Sequence, residues 1–170
     1  MFGSSILNSD KTINRKALGR LVFLDKDRLD ELNRLCHPSI QSIWRNEIVK
    51  AEQEGRHIVV AVPLLFEINV WDDFDFVVVV GCPYQTQLKR LMGRGFEENE
   101  ARIRINAQWP NEKKMNQGDF VIWTNGSQAR ALKQAEAILR YVIDQPPREK
   151  PRWMTSHPDK LQRNVGRNLC

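Results

Sequence analysis

Arg90 and Arg94 lie four residues apart in the run Gln87-Leu88-Lys89-Arg90-Leu91-Met92-Gly93-Arg94, and Arg102, Arg104 and Gln108 follow. Residues four apart share a helix face, so Arg90 projects with Arg94, and Arg104 with Gln108. Converging guanidinium groups suit phosphoryl transfer. Charge there spreads over the oxygens of the transferred group, and planar bidentate donors hold those oxygens. The same spacing also describes a solvated helix, with Glu98–Arg102 and Glu100–Arg104 as i,i+4 ion pairs.

Three further segments bear on chemistry. Val62-Pro63-Leu64-Leu65-Phe66-Glu67 follows an apolar run, and open α/β sheets place ligands at the carboxyl ends of their strands. Leu64, Leu65 and Phe66 either close a core or line a pocket there, and Glu67 is the only charge in the run. His37-Pro38 puts a lone histidine at an expected helix start, as a cap or as a ligand contact. In Trp123-Thr124-Asn125-Gly126-Ser127 the Asn-Gly pair signals a turn and Ser127 can cap the next helix; backbone near Asn125 is open to a nucleotide base. Cys36, Cys82 and Cys170 form no CxxC pair and no metal-like cluster with His37, His57 or His157, so no metal ligand is assigned. Unpaired, reduced thiols suit a cytoplasmic location.

These residues must be positioned by regular elements. Helical spacing predicts a helix over 14–22 and a second from the cap Asp25, carrying Leu29, Leu32 and Leu35. His37-Pro38 is expected to interrupt it, with Pro38 in the first turn of a third helix. That helix carries Ile40, Ile43, Trp44, Ile48 and Ala51 on one stripe and stops at Gly55. Continuous apolar runs over 57–62 and 74–80, and a shorter one over 119–123, read as strands buried on both faces. Helices over 84–92, 97–108 and 128–144 lie between and after them; Ala131, Leu132, Ala135, Ile138, Leu139 and Val142 form the last one's stripe. The alternation predicts an α/β fold with a parallel sheet covered by helices.

The 170 residues are 41% hydrophobic and 28% charged, ordinary for a soluble domain of this size. The longest apolar run, 58–66, is half of the roughly 18 to 20 residues a membrane span needs. The net charge of +5 is uneven: beyond Asp144 six Lys or Arg stand against two acids, leaving the body at +1. That proline-containing basic tail, 145–170, is expected to be disordered. Its four net charges and single Trp are too few for a nucleic-acid site.

In order along the chain, the segments Ile13-Asn14-Arg15, Val22-Phe23, His37-Pro38-Ser39-Ile40, Val62 to Glu67, Pro83 with Gln87, Arg90 and Leu91, Arg94, Ala101-Arg102-Ile103-Arg104, Gln108, Asp119-Phe120-Val121-Ile122 and Asn125-Gly126-Ser127 resemble the dephospho-CoA kinase family. The resemblance implies a P-loop NTPase fold of the nucleoside-kinase type. It implies transfer of the ATP γ-phosphate, with Mg²⁺, to the ribose 3′-hydroxyl of dephospho-CoA, the last step of coenzyme A biosynthesis. Residues of about 94–118 would form a helical lid. Arg94 and Arg104 would act on the transferring phosphate. Arg90, Arg102, Gln108 and Asn125 would hold the nucleotide, and His37, Pro38, Leu64, Leu65 and Phe66 would lie near the acceptor.

Two departures stand out. No GxxxxGK[ST] occurs in the 170 residues; that loop would supply the N–H cradle, the phosphate-binding Lys and the Mg²⁺-holding hydroxyl. The expected fold is therefore N-terminally incomplete: a kinase-like domain over 1–144 without its P-loop, weakly soluble because of an open sheet edge and without appreciable activity as written. Trp123-Thr124 also stands where the family has Asp-Asn. The alternatives are a non-catalytic CoA-binding or regulatory kinase-like protein, or a gene fragment.

Overall fold

A computed structural model describes residues 2–146. The expected tail lies outside the described residues from position 147 onward. The chain divides into two units, Met1–Ala61 and Val62–Cys170.

In the first unit a short 3-10 turn, Ser4–Ile6, leads to an antiparallel bridge between Leu7 and Ile13. Helix α1, Arg15–Phe23, starts where the Asn14 side chain accepts a hydrogen bond from the Ala17 N–H at 2.9 Å, satisfying one of the donors that a helix start leaves unpaired. Helix α2, Lys26–Gln53, starts in the same way: Asp25 accepts from the N–H groups of Asp27 and Arg28. It ends at Gly55, whose φ of 63° suits a residue without Cβ. There Arg56 N–H returns to Ala51 O at 2.8 Å and Gly55 N–H to Glu52 O, the paired closure of a helix C-terminus on glycine.

The expected break at His37-Pro38 does not occur. Residues 26–53 form one helix of 28 residues with Pro38 inside it. Proline there removes the hydrogen bond to the Arg34 carbonyl and crowds it, at a cost of about 3 kcal/mol. A capped, 28-residue ladder absorbs that cost because helix propagation is cooperative. The expected stripe is also only partly covered: Trp44 and Ala51 are buried, whereas Ile40 and Ile43 are more than half exposed.

The second unit holds the sheet. Strand β1, Val78–Gly81, runs parallel to β2, Phe120–Trp123, with Val78 opposite Phe120 and Gly81 opposite Trp123. Between them come α3, Tyr84–Met92, α4, Glu98–Asn106, and α5, Asn111–Gln117; after β2 comes α6, Gln128–Ile143. The start of the register is fixed locally. Asp119 accepts the Val77 N–H on its carboxylate at 2.8 Å, while the Asp119 and Phe120 N–H groups both donate to Val77 O. Phe66, Val77 and Val79 form the core, with Leu65, Phe74, Trp109 and Met115 packed on it.

The sheet differs from expectation. No strand forms over 57–62; that segment has no regular secondary structure, and Val59 is 88% exposed. Apolar composition alone does not make a strand: backbone N–H and C=O groups need a laterally paired neighbour, and none is bonded to this segment among the described residues. The remaining parallel sheet is two strands wide, and β1 alternates exposed and buried where burial on both faces was expected. So narrow a sheet covers little of α6, which leaves Leu132 and Leu139 of its expected stripe exposed. Phe120 nevertheless meets the Tyr141 ring edge-on, with centroids 5.6 Å apart. Among the described residues the chain is mostly helical, with one small two-stranded parallel sheet.

Candidate functional site

The parallel register brings the carboxyl ends of β1 and β2 side by side, Gly81 next to Trp123. The approach is close: a Cβ on Gly81 would lie 2.8 Å from Met115 Sδ and 3.3 Å from the Trp123 ring. Loops 82–83 and 124–127 leave this end, and side chains from α3, α5 and α6 converge on it.

The turn after β2 is held from three sides. Thr124 N–H and Oγ1–H both donate to Gly81 O, at 2.8 and 3.0 Å. Arg90 on α3 donates through Nη1 to Thr124 Oγ1 at 3.0 Å and through Nη2 to Thr124 O at 2.5 Å. Thr86, one turn earlier on α3, donates its hydroxyl to Asn125 Oδ1 at 2.7 Å. On the outer side, Gln134 of α6 accepts from Trp123 N–H at 3.0 Å and donates to Trp123 O at 3.1 Å, pairing with the strand edge as a neighbouring strand would. Ser127 caps α6 by accepting from Arg130 N–H. Trp123, Asn125, Gly126, Arg130, Lys133 and Gln134 line a shallow hollow beside this turn.

The arginines divide by what they already touch. Arg90 is engaged with Thr124, so its guanidinium shapes the turn. Arg102 pairs with Glu98 at 2.5 Å and donates to Tyr84 Oη at 3.4 Å. Those two hydrogen bonds, Glu98 first, raise its pKa above the usual arginine value. Arg104 pairs with Glu100 at 3.0 Å, with both side chains about one-fifth exposed, and lies 4.3 Å from the Phe96 ring centroid. Both i,i+4 pairs read from the sequence are thus present. Arg94, in the turn between α3 and α4, is exposed and has no side-chain hydrogen bond or ion pair among the described residues.

Gln108 accepts from Lys114 Nζ at 2.9 Å. Leu64 and Leu65 are half-buried and Phe66 is a core residue at 6% exposure. His37 and Pro38 belong to the first unit, where, mid-helix, they border an open hollow with Asp27, Asp30, Asn33 and Arg34. Among the described residues no group of three or more His, Cys, Asp or Glu could hold a metal ion.

Sequence reasoning missed Thr86, Lys114 and Gln134. Their partners lie 39, 47 and 11 residues away. Only the spacing of Thr86 to Arg90, four residues on one face of α3, offered a signal.

Two parallel strands with their carboxyl ends side by side and Arg90 clamped on the turn between strand and helix match the place where α/β sheets take ligands. The comparisons with known proteins narrow this to a family. Residues 1–130 match the dephospho-CoA kinase family. The dephospho-CoA kinases of Geobacillus kaustophilus and Carboxydothermus hydrogenoformans are 39% and 40% identical to the chain over 141 residues. The matched stretch is 82% of this chain and 70% and 68% of theirs. A Syntrophus aciditrophicus dephospho-CoA kinase is 33% identical over 145 residues, of which this chain spans 62% of the length. Among solved structures, that of dephospho-CoA kinase from Campylobacter jejuni matches at a TM-score of 0.54 and 28% identity, over 81% of this chain and 69% of that one. A Thermus thermophilus protein matches at a TM-score of 0.60 and 26% identity, over 83% and 73%. The chain belongs to the dephospho-CoA kinase family, a family of phosphotransferases. No helix among the described residues is long and apolar enough to cross a membrane.

Proposed function

We propose that this chain binds ATP and dephospho-CoA for transfer of the γ-phosphoryl group to the ribose 3′-hydroxyl, and that its own contribution is the guanidinium-bearing lid and the turn after β2. In that reaction the 3′-oxygen attacks the γ-phosphorus, the bond to the ADP oxygen breaks, and the hydroxyl proton passes to solvent. Negative charge builds on the transferring oxygens and on the departing ADP, and guanidinium donors stabilise it. Arg94 is the group best placed by its lack of competing partners. Arg104 can join it by exchanging Glu100 for a phosphate oxygen, and Arg102 by exchanging Glu98. The turn held by Arg90, Thr86 and Gln134 offers Asn125 and its backbone to the base. Residues of about 94–118 act as the lid, within a kinase-like domain over 1–144. Leu64, Leu65 and Phe66 of the second unit are assigned to the acceptor, as are His37 and Pro38 of the first. No residue of this chain is assigned to cradle the β-phosphate or to hold Mg²⁺.

The observation that carries the reading is the uncommitted Arg94 between helices whose other arginines are paired. Titration calorimetry with ATP tests it. A charge-assisted guanidinium–phosphate contact contributes about 1.5–3 kcal/mol, so Arg94→Ala should weaken ATP binding by about tenfold or more, while dephospho-CoA binding stays unchanged. Equal ATP affinity in the variant would refute the assignment. Binding of dephospho-CoA with no ADP release would favour a CoA-binding protein without the chemistry.

A further inference from the structure

The side chain of Glu67 reaches the far end of the lid. Its Oε1 accepts from Trp109 N–H at 2.8 Å and from Lys114 Nζ at 2.7 Å. Both charged side chains are about 15% exposed, so the pair is shielded from the screening that weakens surface ion pairs. Lys114 Nζ in turn donates to Gln108 Oε1. The preceding residue, Phe66, stacks its ring on the Trp109 indole, with centroids 6.1 Å apart and planes 10° apart. Two consecutive residues therefore grip the junction between α4 and α5.

The rest of α5 is equally tied. Trp109 and Met115 pack on the Phe66–Val77–Val79 core. Asn111 Nδ2 donates to Cys82 O at 2.8 Å. Gly118 sits so close to β1 that a Cβ would fall 2.6 Å from Val79 Cγ2. Helix α4 is held differently. It packs on α3, Arg102 bonds within α4 and to Tyr84, and the helix follows Gly95, whose φ is 87°.

We propose that Glu67 is a positioning residue: it anchors the α4–α5 junction through Trp109 and Lys114, so that the movable part of the lid ends at Gln108 and α5 belongs to the body. Through Lys114 it also orients the Gln108 amide. This rests on reading 94–118 as a lid over nucleotide, and divides that segment into a swinging helix and a fixed base.

Hydrogen exchange of the full chain, read by mass spectrometry, tests the anchor without any ligand. In the wild type, 111–117 should exchange about tenfold or more slower than 98–106, because exchange tracks the free energy of local opening. Glu67→Ala should remove that difference while β1 and α3 keep their protection. Glu67→Gln keeps an acceptor for Trp109 and should retain most of it. If Glu67→Ala raises exchange everywhere, Lys114→Met decides. It leaves the Trp109–Glu67 bond in place and should speed exchange over 111–117 alone. Equal rates in α4 and α5 of the wild type, or variants without effect on 111–117, would overturn the anchor. A second arm adds ATP. Slower exchange in α4 only is the expected result. No slowing anywhere, with α5 still protected, would sink the nucleotide reading and leave the anchor standing.

Discussion

Glu100→Gln separates the two roles of Arg104. In the structure Arg104 Nη2 lies 3.0 Å from Glu100 Oε1, with side chains 19% and 21% exposed. Where a phosphate oxygen takes that N–H, the pair with Glu100 must open. Ion pairs of this i,i+4 kind contribute about 0.3–1 kcal/mol, the upper part of the range applying where solvent is partly excluded. Glutamine keeps the shape and a weaker acceptor but removes the charge. The variant should lose about 0.5–1 kcal/mol of stability and bind ATP about two- to fivefold more tightly, since the same free energy no longer opposes the exchange of partners. Removing a carboxylate near the phosphates acts in the same direction. Thermal or urea unfolding measures the first quantity and titration calorimetry the second. Unchanged or weaker ATP binding would refute the idea that Arg104 turns from Glu100 to phosphate.

Two other outcomes follow from the geometry. Arg90→Lys should fail to replace arginine, because one ammonium cannot span Thr124 Oγ1 and Thr124 O as the guanidinium fork does; the Thr124 and Asn125 amides should then exchange faster in NMR, and identical spectra would refute the clamp. Pro38→Ala should raise the stability of α2 by up to about 3 kcal/mol by restoring the bond to the Arg34 carbonyl, and, on the acceptor assignment, weaken dephospho-CoA binding; a lower melting temperature would show that Pro38 is not strained there.

Much of the helical frame was legible because its signals are local. Asp25 and Ser127 announce helix starts through side chains that reach two or three residues ahead, and Gly55 announces an end as the residue type that accepts a positive φ. The ion pairs of α4 were legible for the same reason. Pro38 misled, because a proline usually ends a helix and only the cooperative stability of the surrounding turns decides whether it does. The run 57–62 misled because valine and isoleucine report a preference for extended backbone, not the presence of a neighbour to bond with.

The order of motifs from Ile13 to Ser127 was enough to place the chain in its family, since each short segment is weak but their sequence is specific. What Arg90 and Arg94 touch was decided by tertiary structure alone. Arg90 is held by Thr124, 34 residues away; Arg94 is left exposed; Glu67, read from the sequence only as a lone charge, reaches Trp109 across 42 residues. Charge and spacing along one helix say which side chains share a face. Whether a face meets a carbonyl, a carboxylate or solvent depends on chain segments brought together by burial of apolar surface, and no local pattern encodes that.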